Sequence, residues 1–270
     1  MVTVETTKDV LFTLEGCVLG KFIQLVSTLL PLPPQIIYLK KPNKEVLKYS
    51  PTNSFPLLKT GEDFIAGTLP IVKYLIKSAK DNSDGIILDN RKILLGKNLK
   101  EEAKVDMWTN FIFTSLLPIT TEIEAQLYGK KQFNSQIFEN ALKDLLDVLG
   151  TINEQLKLNT FLTSNNIQLP DLMLASVLFH CHNDVLTQDK VEKIPNVIRM
   201  FKFVTHLKQF EEIFGKVVPC KTQKTPEPYV EPKEEEEKTE QESKKDKKNK
   251  KKEGKKDKKE KKEKKDKKAK

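Results

Sequence analysis

Cysteine is scarce in this 270-residue chain: Cys17, Cys181 and Cys220 are odd in number, far apart and never paired as C-x-x-C. That spacing excludes a disulfide framework and a zinc knuckle, and it fits a reducing compartment. No apolar run approaches the roughly 18 residues a membrane span requires. The first nine residues are polar and lack the apolar centre of a secretory signal. These absences predict a cytoplasmic protein. A fourth scarcity is local: beyond Pro219 the chain holds almost no hydrophobic residues apart from Tyr229 and Val230.

Charge divides the chain at the same place. Residues 1–218 carry 25 Lys+Arg against 24 Asp+Glu, whereas residues 219–270 carry 22 against 14, so nearly all of the formal +9 lies in the tail. Within it, 227–242 has eight acidic residues and two lysines, and 244–270 has eighteen lysines and six acidic residues. Such a composition offers too little apolar surface to offset chain entropy, which predicts a disordered, lysine-rich tail over 219–270.

The remainder is patterned. Val10 to Leu14 reads as a short buried strand, and Cys17 to Leu30 places apolar residues at helical spacing until Pro31, Pro33 and Pro34 stop it. Strands are predicted at Gln35 to Leu39, Phe55 to Leu58 and Asp63 to Ala66, the last two around the turn Thr60-Gly61-Glu62. Leu69 to Ile76 returns to a helical period. This order, strand, helix, strand, strand pair, helix, is that of a thioredoxin-like α/β subdomain over residues 1–80.

A polar linker at Asp81 to Asp84 leads to a second subdomain, 90–218, in which only helical periodicity occurs. Helices are predicted near 99–128 and 134–157, then over Leu169 to Val185 and Ile194 to Leu207, the last opened by Pro195, which suits a first helical turn. The stretch 134–157 carries an amphipathic stripe through Ile137, Phe138, Leu142, Leu145, Leu149, Ile152 and Leu156, as a helical bundle requires.

An α/β subdomain of about 80 residues followed by an all-helical one resembles the glutathione-transferase fold. Phe55-Pro56-Leu57-Leu58 resembles that family's signature, in which the proline follows a cis peptide bond. Ile71-x-x-Tyr74-Leu75 resembles its third helix. Trp108, Phe111 and Pro118, then Asn159-Thr160-Phe161-Leu162, and finally Pro195-Asn196-x-x-Arg199-x-Phe201, Gln209-Phe210, Gly215-x-Val217 and Cys220 are similar to the elongation factor 1 gamma family in identity and spacing. The resemblance covers residues 1–220. It implies a lysine-rich linker after the domain, which is present, and a large C-terminal domain, which this sequence does not carry. The expectation is therefore a truncated or lineage-specific relative. The stretch around Arg199 and Phe201 also resembles transferase-like modules of aminoacyl-tRNA synthetases and their scaffold proteins.

Glutathione transferases lower a thiol pKa with a Tyr, Ser or Cys after the first strand, near a helix N-terminus. Here the loop reads Thr13-Leu14-Glu15-Gly16-Cys17, with no Tyr or Ser. Thr13 and Cys17 are the catalytic candidates, against the plainer reading that Cys17 is a small packing residue. The resemblance places a γ-glutamyl-binding pair at Gly67-Thr68, where Thr68 keeps the hydroxyl and glycine replaces the carboxylate. Phe55, Pro56 and Thr68 thus form a substrate-binding set of vestigial glutathione-site type. Glutathione is the one ligand left open, and no cofactor is predicted. His180 and His182 stand about 200° apart on a helix, so they do not share a metal ion. Gln168 and Asp171 occupy the family's N-capping position, a folding role.

The tail carries a functional signal independent of family. A net +12 over 244–270 gives sequence-independent attraction to phosphate backbones, through Lys244, Lys245, Lys247, Lys248, Lys250, Lys251, Lys252, Lys255 and Lys256. No aromatic interrupts the run, so base stacking is not its mode. The plainer alternative is a solubilising tail or a nuclear-import signal. Together these readings predict a non-catalytic scaffold in translation elongation. Its partners would be elongation factor 1 subunits or aminoacyl-tRNA synthetases, with tRNA or ribosomal RNA held weakly by the tail. A homodimer is compatible with the fold, and an active glutathione transferase is the alternative from another class.

Overall fold

Alternating burial along Val10–Leu14 makes it strand β1: Leu11 and Thr13 are fully buried while their neighbours are half-buried. The computed structural model describes residues 9–79 and 93–229, which lie in one compact unit ending at Tyr229. In it β1 pairs in parallel with β2 (Gln35–Leu39) and antiparallel with β3 (Leu57–Thr60), and β3 pairs antiparallel with β4 (Asp63–Ala66). The sheet order is β2-β1-β3-β4. Helix α1 (Val18–Ser27) buries Phe22, Ile23, Leu25 and Val26, and α3 (Thr68–Ser78) buries Ile71, Val72, Leu75 and Ile76. A short α2 (Lys44–Leu47), capped by Asn43, lies between β2 and β3 and carried no periodic signal in the sequence.

The helical subdomain begins with α4 (Leu99–Phe111), which runs through a π turn at Ile112–Leu116 into α5 (Leu117–Leu127). The wider turn has a local cause. Pro118 has no N–H for the carbonyl four residues back, and its ring obstructs that carbonyl; the π turn takes up the mismatch. Helix α6 (Ser135–Lys157) uses most of the stripe read from the sequence, burying Phe138, Leu145, Leu149, Ile152 and Leu156, whereas Ile137 in its first turn is exposed. Helix α7 (Leu169–Asp184) is buried around nearly its whole circumference, so it is the central helix of the core and shows little one-sided pattern. The short α8 (Gln188–Val191), then α9 (Pro195–Thr205) and α10 (Lys208–Phe214), close the bundle.

The two subdomains share one core, in which α1 packs against both α7 and α10. Ion pairs from α3 to α4 add to this, Lys73 to Asp106 at 2.7 Å and Lys77 to Glu102 at 2.9 Å. Both are partly exposed, so each contributes about 1 kcal/mol or less.

Two expectations shift. Strand β3 begins at Leu57, two residues later than predicted, because Phe55 and Pro56 form the turn that leads into it. Residues 219–229, assigned to the tail by their lack of apolar residues, lie against the domain through backbone hydrogen bonds, which need no apolar side chains. The expected linker at 81–84 and the tail from 230 onward lie outside the described residues.

Candidate functional site

The sheet register gathers the sequence-derived site residues at one end of the sheet. β1 ends at Leu14, β3 starts at Leu57 opposite Phe12, and β4 ends at Ala66 opposite Leu57. The β1–α1 turn, the Phe55-Pro56 pair and the Gly67-Thr68 pair therefore converge. The Phe55-Pro56 bond is cis, as the resemblance implies, and the Gly67 N–H donates to the Pro56 carbonyl at 3.4 Å.

Convergence of backbone does not bring the candidate side chains together. Thr13 is fully buried, and a Cβ on Gly20 of α1 would overlap its hydroxyl. Among the described residues its Oγ1 is the buried side-chain oxygen with no hydrogen-bond partner. As the catalytic candidate it is corrected to a packing residue: the strand alternation that buries Leu11 also buries Thr13, two positions on. Leu14 is half-buried and has no hydroxyl. Cys17 is half-buried at the N-cap of α1, where its side chain makes no capping bond and its N–H donates to the Leu14 carbonyl at 3.1 Å.

Thr68 opens α3 and is 3% exposed. Gly67 before it has φ +91°, a backbone that side chains other than hydrogen adopt only under strain. Glycine is thus the relaxed choice there. A carboxylate at this position would hold a ligand at the expense of backbone strain.

Polar chemistry is denser in the helical half. Asp171 is fully buried and accepts backbone N–H groups from Leu162 at 2.9 Å and Gln168 at 2.8 Å. Burial pushes its carboxyl up to about 7, opposed by those backbone bonds. Because each N–H needs an acceptor, the ionised form is the one that fits the geometry. The Gln168 side chain and Asp171 form the capping box, and the Gln168 side-chain oxygen also accepts from the Thr163 hydroxyl. Arg199 on α9 donates to the carbonyls of Leu156, Asn159 and Thr160 at 3.0, 3.0 and 3.1 Å, which closes the carboxyl end of α6.

His180, Cys181 and His182 lie along α7 as packing residues. His182 stacks on Phe201 at 4.5 Å, Cys181 is buried, and His180 meets the edges of Tyr128 and Phe179. Burial, then the charge of Lys21, holds His180 below its ordinary value. No cluster of metal-ligating side chains occurs among the described residues.

A further cluster gave no sequence signal. Tyr128 at the end of α5 donates to Asp184 at the end of α7 at 2.6 Å. Burial and then this bond raise the Tyr128 hydroxyl. Burial, reinforced by Asp184 and opposed by Lys130, pushes the Glu124 carboxyl up to about 7. The Lys224 ammonium stands 3.8 Å over the Tyr128 ring. Tyr128 and Asp184 lie 56 positions apart in the chain, and Lys224 lies farther still from Tyr128, a separation that no local pattern reveals. The lysines from Lys244 to Lys256 lie outside the described residues. No helix among the described residues is long and apolar enough to cross a membrane.

Comparison with known proteins agrees with this geometry. Residues 116–208 match the glutathione S-transferase C-terminal domain. Among curated proteins the chain is similar to elongation factor 1-gamma of Danio rerio, 29% identical over 128 residues, 47% of this chain and 29% of that protein. It is also similar to probable elongation factor 1-gamma 1 of Arabidopsis thaliana, 26% identical over 195 residues, 70% of this chain and 44% of that protein. The chain thus spans less than half the length of these relatives. The GST-like domain of elongation factor 1-gamma from Saccharomyces cerevisiae superposes with a TM-score of 0.69 at 16% identity, covering 82% of this chain and 99% of that one. A glutathione S-transferase of Vibrio parahaemolyticus superposes with a TM-score of 0.63 at 17% identity, covering 77% and 98%. The chain therefore has the glutathione-transferase fold, with a thioredoxin-like and a helical subdomain, and is similar to elongation factor 1-gamma.

Proposed function

We propose that this protein is a non-catalytic scaffold subunit of translation elongation, which binds protein partners through its transferase-like domain and RNA or ribosomes weakly through its lysine tail. The observation that carries the reading is the state of the sheet-end site. The hydroxyl of β1, on Thr13, is sealed against Gly20, and Gly67 supplies no carboxylate for a ligand ammonium. Losing that charged bond removes about 1.5–3 kcal/mol of ligand affinity. The likeness to elongation factor 1-gamma supports the placement in translation.

Specific partners would be held by surfaces of the folded domain. The tail, with its net +12 over 244–270, supplies a sequence-independent attraction for phosphate. Affinity purification of the full chain from its native cell, with mass spectrometry, tests the first part. Recovery of elongation factor 1 subunits supports it; recovery of aminoacyl-tRNA synthetases instead makes the protein a synthetase scaffold. Sedimentation with ribosomes tests the second. Deleting 243–270 abolishes it, and raising salt from roughly 50 to 200 mM cuts it by orders of magnitude. Sedimentation unchanged by the deletion assigns ribosome contact to the folded domain's partners.

One observation favours a second reading, an active transferase. Cys17 is half-exposed at the N-cap of α1, where the helix amides favour an anion, in the turn at the sheet end that also holds the cis Phe55-Pro56 bond. Glutathione would then be its substrate.

A further inference from the structure

Helices α5 and α7 end next to each other, and each leaves backbone carbonyls and the negative pole of its dipole at that end. Residues 218–229, which form neither helix nor strand, cross both ends. The Val218 N–H donates to the Asn183 side chain at 3.3 Å, the Lys224 N–H to the Asp184 carbonyl at 2.8 Å, and the Glu227 N–H to the Leu127 carbonyl at 2.9 Å. Between the last two bonds the Lys224 side chain lies over the face of Tyr128, its ammonium 3.8 Å from the ring centre and 2.9 Å from the Glu227 carboxylate.

The receiving surface is shaped for this. The Tyr128 ring is fixed by its hydroxyl, which donates to Asp184. Gly129 follows with φ +61°, and a Cβ there would come within 2.5 Å of the Pro228 carbonyl. The lysine meets an aromatic face and the carboxylate of Glu227 beside two helix carboxyl ends, all of which favour a cation. A neutral side chain in its place would gain none of these terms.

We propose that the paired carboxyl ends of α5 and α7, with Tyr128 and Asp184, form a recognition site for an extended, lysine-bearing peptide segment of the Lys-x-x-Glu kind, filled in cis by residues 218–229. Backbone carbonyls of the helices supply affinity for any extended chain, and the Tyr128 face selects the lysine. A partner segment of the same chemistry takes the site only when the cis segment leaves it. At the millimolar effective concentration of a tethered segment, a free peptide competes poorly with it.

The test uses the full chain with Lys224→Glu, which empties the site without touching its walls, and a fluorescent peptide spanning 218–229. The peptide is expected to bind this variant at least tenfold more tightly than the unaltered protein, and a peptide with alanine for the lysine is expected to lose that binding. Hydrogen exchange gives a second readout on the full chain. In Lys224→Gln the Lys224 and Glu227 positions exchange roughly tenfold faster while the interior amides of α5 and α7 keep their protection. The proposal is overturned if the peptide binds both proteins equally or neither. It is likewise overturned if exchange at 224 and 227 is unchanged by Lys224→Gln, since backbone pairing alone would then hold the segment.

Discussion

At the sheet end the polar side chains are few: Thr13 is buried without a partner, Cys17 makes no capping bond, and glycine stands at 67. In the helical half they are buried or half-buried and matched. Asp171 and Arg199 each satisfy two or three backbone groups, and Tyr128, Asp184 and Lys224 satisfy one another. The contrast teaches that polar side chains here were kept where they build the fold. At the sheet end nothing comparable holds Thr13 or Cys17.

The comparison breaks first at Asp171. Asp171→Ala leaves the N–H groups of Leu162 and Gln168 without acceptors in the core and is expected to cost about 3 kcal/mol, measured by urea denaturation. A loss below about 1 kcal/mol would mean that the cap is replaceable and the helical half less committed than its geometry indicates. Gly20→Ala is expected to cost about 1–3 kcal/mol by driving a methyl into Thr13. Thr13→Val has the opposite sign. It removes a buried hydroxyl without a partner, so stability is expected to hold or rise by about 1 kcal/mol, whereas a catalytic or ligand-binding hydroxyl would show a loss of activity.

The smallest effect is a pH dependence. The Glu124 carboxyl is raised in the folded protein to about 7, so the folded state holds its proton more tightly than the unfolded chain does. Its contribution is fully present below the ordinary carboxylate range, near pH 4.5, and is lost as pH rises toward 7. Thermal melting of Glu124→Gln should therefore show a flatter stability profile between those limits than the unaltered chain. Equal slopes would place the titration elsewhere.

Most of the fold was legible because burial leaves periodic marks. β1, β2 and β4 and the stripe of α6 stand where alternation and the 3.6-residue period put them. α2 is too short to show a period, and α7, buried on all sides, shows length and apolar content without a polar face. At the site the loss of Tyr, Ser and carboxylate could be read directly from residues 13–17 and 67. The burial of Thr13 follows from the alternation that buries Leu11, but the sealing of its hydroxyl without a partner could not be read, because it depends on the glycine across the β1–α1 interface. The contacts made by 218–229 were illegible for a different reason: backbone donors and one lysine hold that segment, and neither marks a sequence as folded.

The central claim is that the transferase-like site does no thiol chemistry, and one assay bears on it most directly. The purified full chain is incubated with glutathione and a chlorodinitrobenzene-type electrophile, beside Cys17→Ala. Turnover is expected to stay at the uncatalysed background in both proteins. Robust conjugation that disappears in Cys17→Ala would contradict the account and make the half-exposed cysteine at the start of α1 the nucleophile-activating residue of an enzyme.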